Sequence, residues 1–443
     1  MFPYSPYLPH CIVFSHSMIE FTKEVLSNGL TFIHHFDDTT PFVVVNTLYK
    51  VGAKHEEEHR TGFAHLFEHL MFSGSKHFKD FDKPLQEAGG ENNAFTNNDF
   101  TNYYDTVPAL NIEIPFCLEA DRMTALNINK KSLEVQRKVV CEEFKENYIN
   151  QPYGNVWHLL REMVYEKHPY RWPTIGKELK HIEDATLEDV KDFYKKHYQP
   201  GNAILVVAGN VALQSAKELV KKYFGAIHGT LTSTINFFEP KQTEAKEKTV
   251  QADVPLNAVF IAFKMCSRLH PDYYVADVTS DILSNGPSSR LHQRLVKEAK
   301  AFVEIDAYIT ASDDIGMFVI EGKVAENTDV QAAINLIWKE LLLIQQELVN
   351  EQELQKCKNK MLTYQNFAEA SLLNRAIGLA TYEELGNANL INEEEKNYDA
   401  VTAERILQFA LQTFGKEKSS TLYYLKKQPT TNIHENTGNT SYR

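Results

Sequence analysis

Cysteine is scarce. The 443 residues hold five, at positions 11, 117, 141, 266 and 357, an odd number at long spacings with no Cys-x-x-Cys pair. That excludes a disulfide framework and the usual thiolate zinc modules, and it fits a reducing compartment. Long apolar runs are also missing. Nothing approaches the roughly 18 residues of a membrane-spanning helix. No Lys or Arg precedes Lys23, and the apolar stretch Cys11–Phe14 is too short for a secretory signal, so the chain reads as cytoplasmic. Positive charge is in deficit, with 46 Lys and Arg against 59 Asp and Glu and a net charge of −13. Nucleic acid and anionic membranes are therefore excluded as main partners, because both need Lys and Arg to displace counterions. A basic peptide remains compatible.

What is present is an ordinary globular composition, 43% hydrophobic and 24% charged, in a chain too long for a single core. Strand and helix patterns alternate in two stretches of similar length. The first contains a buried strand at Phe42–Tyr49, a helix at 61–72, strands within 93–104, helices at 111–125, 131–149 and 187–197, and an apolar strand at 203–208. The second runs from a strand at 258–263 to one at 422–425, with long helices at 329–349 and 351–370 between them. The expected layout is an N-terminal extension over 1–18 (with Met18 an alternative start), a first domain over 19–225 and a linker over 226–250. A second, homologous domain follows over 251–427, then a polar tail over 428–443 that reads as disordered. The fold class is α+β.

The chemistry concentrates in His65-Leu66-Phe67-Glu68-His69. On a helix, residues i and i+4 share a face, so His65 and His69 can reach one metal ion. Glu68 lies beside them, where it can take a proton from a water in the ion's open position. This H-x-x-E-H order is that of the inverted zinc peptidases. With 17 His and 59 acidic residues in 443, chance supplies roughly 0.09 matches to H-x-x-[DE]-H, yet the chain contains two. The other, His55-Glu56-Glu57-Glu58-His59, is polar throughout and reads as a solvated loop. The His65 copy is embedded in Phe63, Ala64, Leu66, Phe67, Leu70, Met71 and Phe72, where polar side chains need partners. A metal satisfies all three at once.

A third ligand must come from elsewhere, since hydrolytic zinc keeps three protein ligands and one open position. The helix over 131–149 offers Glu142, Glu143 and Glu146. Glu143 shares a face with Gln136, Val140 and Asn147 and adjoins Val139, Val140 and Phe144, so it is the candidate. Glu142 and Glu146 fall toward Lys138 and Lys145 and read as a solvated face.

These segments together resemble the pitrilysin–insulinase family of zinc peptidases, in its short-chain branch that includes mitochondrial processing peptidase. Thr61–Gly74 is similar to the family's zinc-helix block, and Val139-Val140-Cys141-Glu142-Glu143 to the block whose last residue is the third ligand. Pro287–Leu291 is similar to a block of the second domain. The resemblance implies two homologous α+β domains, each a mainly antiparallel sheet backed by helices, forming half of a clamshell. It implies one Zn2+ per chain on His65, His69 and Glu143, with Glu68 as general base, in an endopeptidase acting on extended or unfolded peptides. It also implies that Asn93, Ala94, Phe95 and Thr96 pair with the peptide substrate as an added strand. Read alone, those four residues are a strand end with turn-forming asparagine.

Two departures from the family pattern stand out. The acidic residue usual seven positions before the third ligand is Gln136, which removes a negative charge beside the metal. The second-domain Arg and Tyr that hold the substrate carbonyl fall on Val296 and Val303, neither of which donates a hydrogen bond. The expectation is therefore a heterodimer in which a related subunit supplies Arg and Tyr. The alternative is a non-catalytic structural or assembly subunit that keeps the fold and the zinc.

Overall fold

The computed structural model describes residues 18–230 and 236–427. The expected extension (apart from Met18) and the expected tail lie outside the described residues.

Six strands form the first sheet: β1 (Thr22–Val25), β2 (Thr31–Phe36), β3 (Phe42–Tyr49), β4 (Glu91–Thr96), β5 (Thr101–Pro108) and β6 (Ala203–Gly209). Their order is β1-β2-β6-β3-β5-β4. Every pairing is antiparallel except β2 with β6. The central strands β3 and β6 are apolar and buried along nearly their whole length, as a sheet covered on both faces requires. The segment over 226–250, read as a linker, ends in a strand. β7 (Lys246–Ala252) opens the second sheet, with β8 (Ala258–Met265), β9 (Phe302–Ile309), β10 (Gly316–Val324) and β11 (Ser419–Lys426). The order there is β7-β11-β8-β10-β9, and only β7 with β11 is parallel.

Compactness does not follow the chain linearly. One compact unit joins the chain up to Gln136 with the stretches that begin at Asp184 and at Lys358. The other joins Arg137–Glu183, the stretch from Asn236 to Cys357, and the chain from Val401. In the first unit, the helix Leu372–Glu384 lays Ala376, Leu379 and Ala380 against Val44, Leu48 and Val206 of the sheet. In the second, the helix Val156–Val164 covers Ala258, Phe260, Val319 and Leu422. Among the described residues, no helix is long and apolar enough to cross a membrane.

Candidate metal centre

Helix α1 (Phe63–Leu70) leaves the end of β3 and carries the motif. Its start is fixed by two devices. Gly62 takes a left-handed conformation at φ 88°, which a residue without Cβ adopts at little cost. Glu56 accepts hydrogen bonds from the N–H groups of Gly62 and Ala64, both at 2.8 Å. A carboxylate at this end satisfies donors that have no partner inside the helix and complements its positive pole. This corrects the solvated-loop reading of the second H-x-x-E-H copy. Glu57, Glu58 and His59 are exposed, but Glu56 is 7% exposed, and the preceding Lys54 is buried on Asp99 at 2.8 Å. The signal available in the sequence was an acid six positions before the glycine that opens the helix.

The body of α1 is held by aromatic rings. Phe67 stacks on Phe193 at 5.1 Å and on Tyr198 at 4.9 Å, both contributed by the segment after Leu187. The hydroxyl of Tyr103 on β5 donates to the Phe67 carbonyl at 3.3 Å. With Leu66, Phe67 and Leu70 buried, His65, Glu68 and His69 are left half-buried on the opposite side. The two imidazoles stand 4.9 Å apart, nearly perpendicular. Burial, and then the charge of His69, pushes His65 down to about 4. At neutral pH that ring is uncharged, as a metal ligand must be.

Glu143 lies near the end of a single helix, Lys130–Phe144, whose earlier turns hold Gln136. The Gln136 amide donates to the Ser73 hydroxyl at 3.2 Å, just past the end of α1. One ligand atom each from His65, His69 and Glu143 lie within 4.8 Å of one another. Among the described residues, no other trio of His, Cys, Asp or Glu converges in this way. Two imidazole nitrogens and one carboxyl oxygen suit zinc, and three protein ligands leave a position open. Glu142 and Glu146 are exposed.

The other candidates lie elsewhere. Asn93–Thr96 sit on β4, the edge strand of the first sheet, with Asn93 exposed and the next three half-buried. Val296 is half-buried on the π-helical turn His292–Glu298, and Val303 on β9 is 55% exposed. Sequence reasoning missed a buried ionic group in the first unit. Arg122 is 1% exposed and donates to both oxygens of Glu119. Its guanidinium lies over the rings of Phe81 and Tyr103 at 4.4 and 4.5 Å. Asp105 completes the group. Burial, then the charge of Glu119, holds its carboxyl well above the usual carboxylate range. The signal was the i, i+3 pair Glu119 and Arg122 within the helix Glu113–Ala125.

A family model described as Insulinase (Peptidase family M16) matches residues 32–178, and one described as Peptidase M16 inactive domain matches residues 184–361. The zinc protease PqqE of Helicobacter pylori is 31% identical over 344 residues, 75% of this chain and 76% of that relative. The chain belongs to the insulinase family, peptidase family M16. This M16 chain is also similar to the mitochondrial-processing peptidase subunit beta of Saccharomyces cerevisiae, 24% identical over 417 residues and 87% of each chain. Among solved structures, a protease from Helicobacter pylori matches with a TM-score of 0.87 at 28% identity. That match covers 93% of this chain and 100% of that one. The two-domain α+β architecture is thus that of M16 structures, and relatives of the chain carry zinc-protease names.

Proposed function

We propose that the chain is a zinc-dependent endopeptidase for extended or unfolded peptides, holding one Zn2+ on His65, His69 and Glu143. The observation that carries this reading is the convergence of those three ligand atoms within 4.8 Å, with Glu68 on the same turn of α1. Zinc, when bound, supplies Lewis acidity toward the scissile carbonyl. Glu68 takes the proton from the attacking water and returns it to the leaving amine, contributing about 10²–10⁴-fold. Edge strand β4, through Asn93–Thr96, receives the peptide by main-chain pairing. Gln136 steadies the region through Ser73 without adding charge. Val296 and Val303 leave the substrate carbonyl without a clamp, which favours a related partner subunit that supplies Arg and Tyr. Cys117, Cys141, Cys266 and Cys357 are all free, which supports a reducing, cytoplasmic setting.

The test is hydrolysis of a quenched-peptide library by the purified chain, alone and with whatever copurifies from the native host. Cleavage that needs zinc and falls by at least about 10²-fold in Glu68→Gln, at unchanged zinc content, is the expected result. A near-normal rate in that variant removes Glu68 from the mechanism. A folded, zinc-loaded chain that is inactive both alone and with its partner favours a non-catalytic subunit, a reading also supported by the match of residues 184–361 to an M16 inactive domain.

A further inference from the structure

Glu143 stands next to the end of its helix, and the backbone beyond it changes its winding. The α-helix stops at Phe144, and Lys145–Ile149 continue as a π-helical turn, closed by the Asn150 N–H on the Lys145 carbonyl at 2.8 Å. Turns of this kind are rare, so a neighbour that holds one in place is informative. Gly154 lies directly against this one. A Cβ there would stand 2.7 Å from the Asn147 carbonyl oxygen and 2.9 Å from that of Tyr148, so only glycine lets the two backbone stretches lie this close.

The residue before it, Tyr153, has φ 62°. That left-handed conformation is uncommon for a residue with a large side chain, and it persists where the surroundings hold it. Glycine would adopt it freely. The sequence instead puts its glycine one place later, where the space is needed, and a tyrosine at the strained position. The tyrosine side chain is what holds. Its hydroxyl donates to the Leu256 carbonyl at 2.6 Å and accepts from the Leu256 N–H at 3.2 Å, in the short connection between β7 and β8. Its ring meets that of Tyr424 on β11 at 5.3 Å, and the Lys323 ammonium on β10 lies 5.6 Å from the ring centre. The second sheet thus grips this one side chain from three places.

Resting on the metal-centre reading, we infer that Tyr153 is a positioning residue for the third ligand. It anchors the turn beyond Glu143 to the second sheet and so fixes where the Glu143 carboxylate stands. The path runs from Leu256 through Tyr153 and Gly154 to the carbonyls of Asn147 and Tyr148, about one helical turn beyond Glu143.

The test is zinc affinity, read by competition with a chelating dye. Tyr153→Phe keeps the ring, loses both hydrogen bonds and should weaken zinc binding by about tenfold. Gly154→Ala, which presses a methyl group onto the turn, should act in the same direction. Tyr165→Phe is the matched control. It removes a hydroxyl that donates to the Ile315 carbonyl at 3.0 Å in the same unit, and it should leave zinc binding unchanged at a similar loss of stability. In a Glu143→Ala background, Tyr153→Phe should weaken zinc no further, since it acts through that carboxylate. Full affinity in Tyr153→Phe beside weakened binding in Glu143→Ala overturns this proposal alone. Equal weakening in the control, or an added loss in the double variant, does the same. Full affinity in Glu143→Ala overturns the metal-centre reading and this one with it. If the wild type takes up no zinc, the proposed function is what fails. The anchor is then read from amide hydrogen exchange over 143–150: faster exchange in Tyr153→Phe than in Tyr165→Phe supports it, and equal exchange overturns it.

Discussion

The two sheets have the same plan and different burdens. Strands β2-β6-β3-β5-β4 of the first match β7-β11-β8-β10-β9 of the second position by position, and the single parallel pair falls in the same place in each. A helix follows the middle strand in both: α1 after β3, and Tyr273–Ser284 after β8. Two hydroxyls of the second helix settle within its own turns, and that of Ser284 reaches the Ile305 carbonyl of β9 at 3.1 Å. Thr279 donates to the Val275 carbonyl at 2.6 Å and Ser280 to that of Asp277 at 2.8 Å. At the corresponding place α1 carries His65, Glu68 and His69. The fold can thus fill this place without histidine, and the first unit bears them for another reason, with reinforcement that the second lacks.

Three experiments test that contrast. The largest effect is expected at Arg122. Arg122→Met strands the buried Glu119 and should cost about 3–5 kcal/mol in urea denaturation. Arg290→Met in the second unit, whose partner Glu353 at 2.7 Å is 20% exposed at its side chain, should cost clearly less. Equal losses would end the claim of special reinforcement. Glu56→Ala comes next. It should cost about 1–2 kcal/mol and lower the zinc retained after dialysis, because α1 loses the carboxylate on its first amides. Asp272→Ala, just before the second helix and making no cap hydrogen bond there, should cost less than about 1 kcal/mol and leave zinc unchanged. The smallest effect is a slope. The Asp105 carboxyl is raised in the folded state, so its neutral form is the one that stabilises the fold. That contribution is complete below the unfolded value near 3.8 and is lost as pH climbs through the folded value. Denaturation midpoints at pH 5, 7 and 9 should therefore fall more steeply for the wild type than for Asp105→Asn, and parallel slopes would contradict the assignment.

Elements with a strong periodic signal were legible in the sequence. The helices Leu187–His197 and Glu351–Ala370 start and end where the pattern places them, and β3 occupies the residues expected for it. β7 was not legible. Its sequence, Lys-Glu-Lys-Thr-Val-Gln-Ala, is mostly exposed and pairs through its backbone along β11, so no apolar alternation marks it. The helices Leu372–Glu384 and Ala403–Thr413 were overlooked, and the first of them joins a sheet built from strands more than 160 residues earlier, a long-range choice that local patterns do not encode. At the site, the helical spacing of His65, Glu68 and His69 was plain. Glu143 was picked out by its helix face and apolar neighbours and then matched the family pattern, though no local spacing encodes its meeting with the histidines, and the Glu56 brace was hidden because an acid in a polar loop looks the same whether or not a helix end lies against it.

The placement of β6 has a consequence for how the chain is made. The first sheet cannot be continuous until Ala203–Gly209 insert between β2 and β3, and one face stays uncovered until Leu372–Glu384 arrive. A ribosome delivers α1 long before either, so the nascent chain displays the apolar surfaces of β2 and β3 through most of translation, a time when chaperones have work to do. A premature stop codon between Gly209 and Leu372 then leaves that face bare even though the histidine helix is complete.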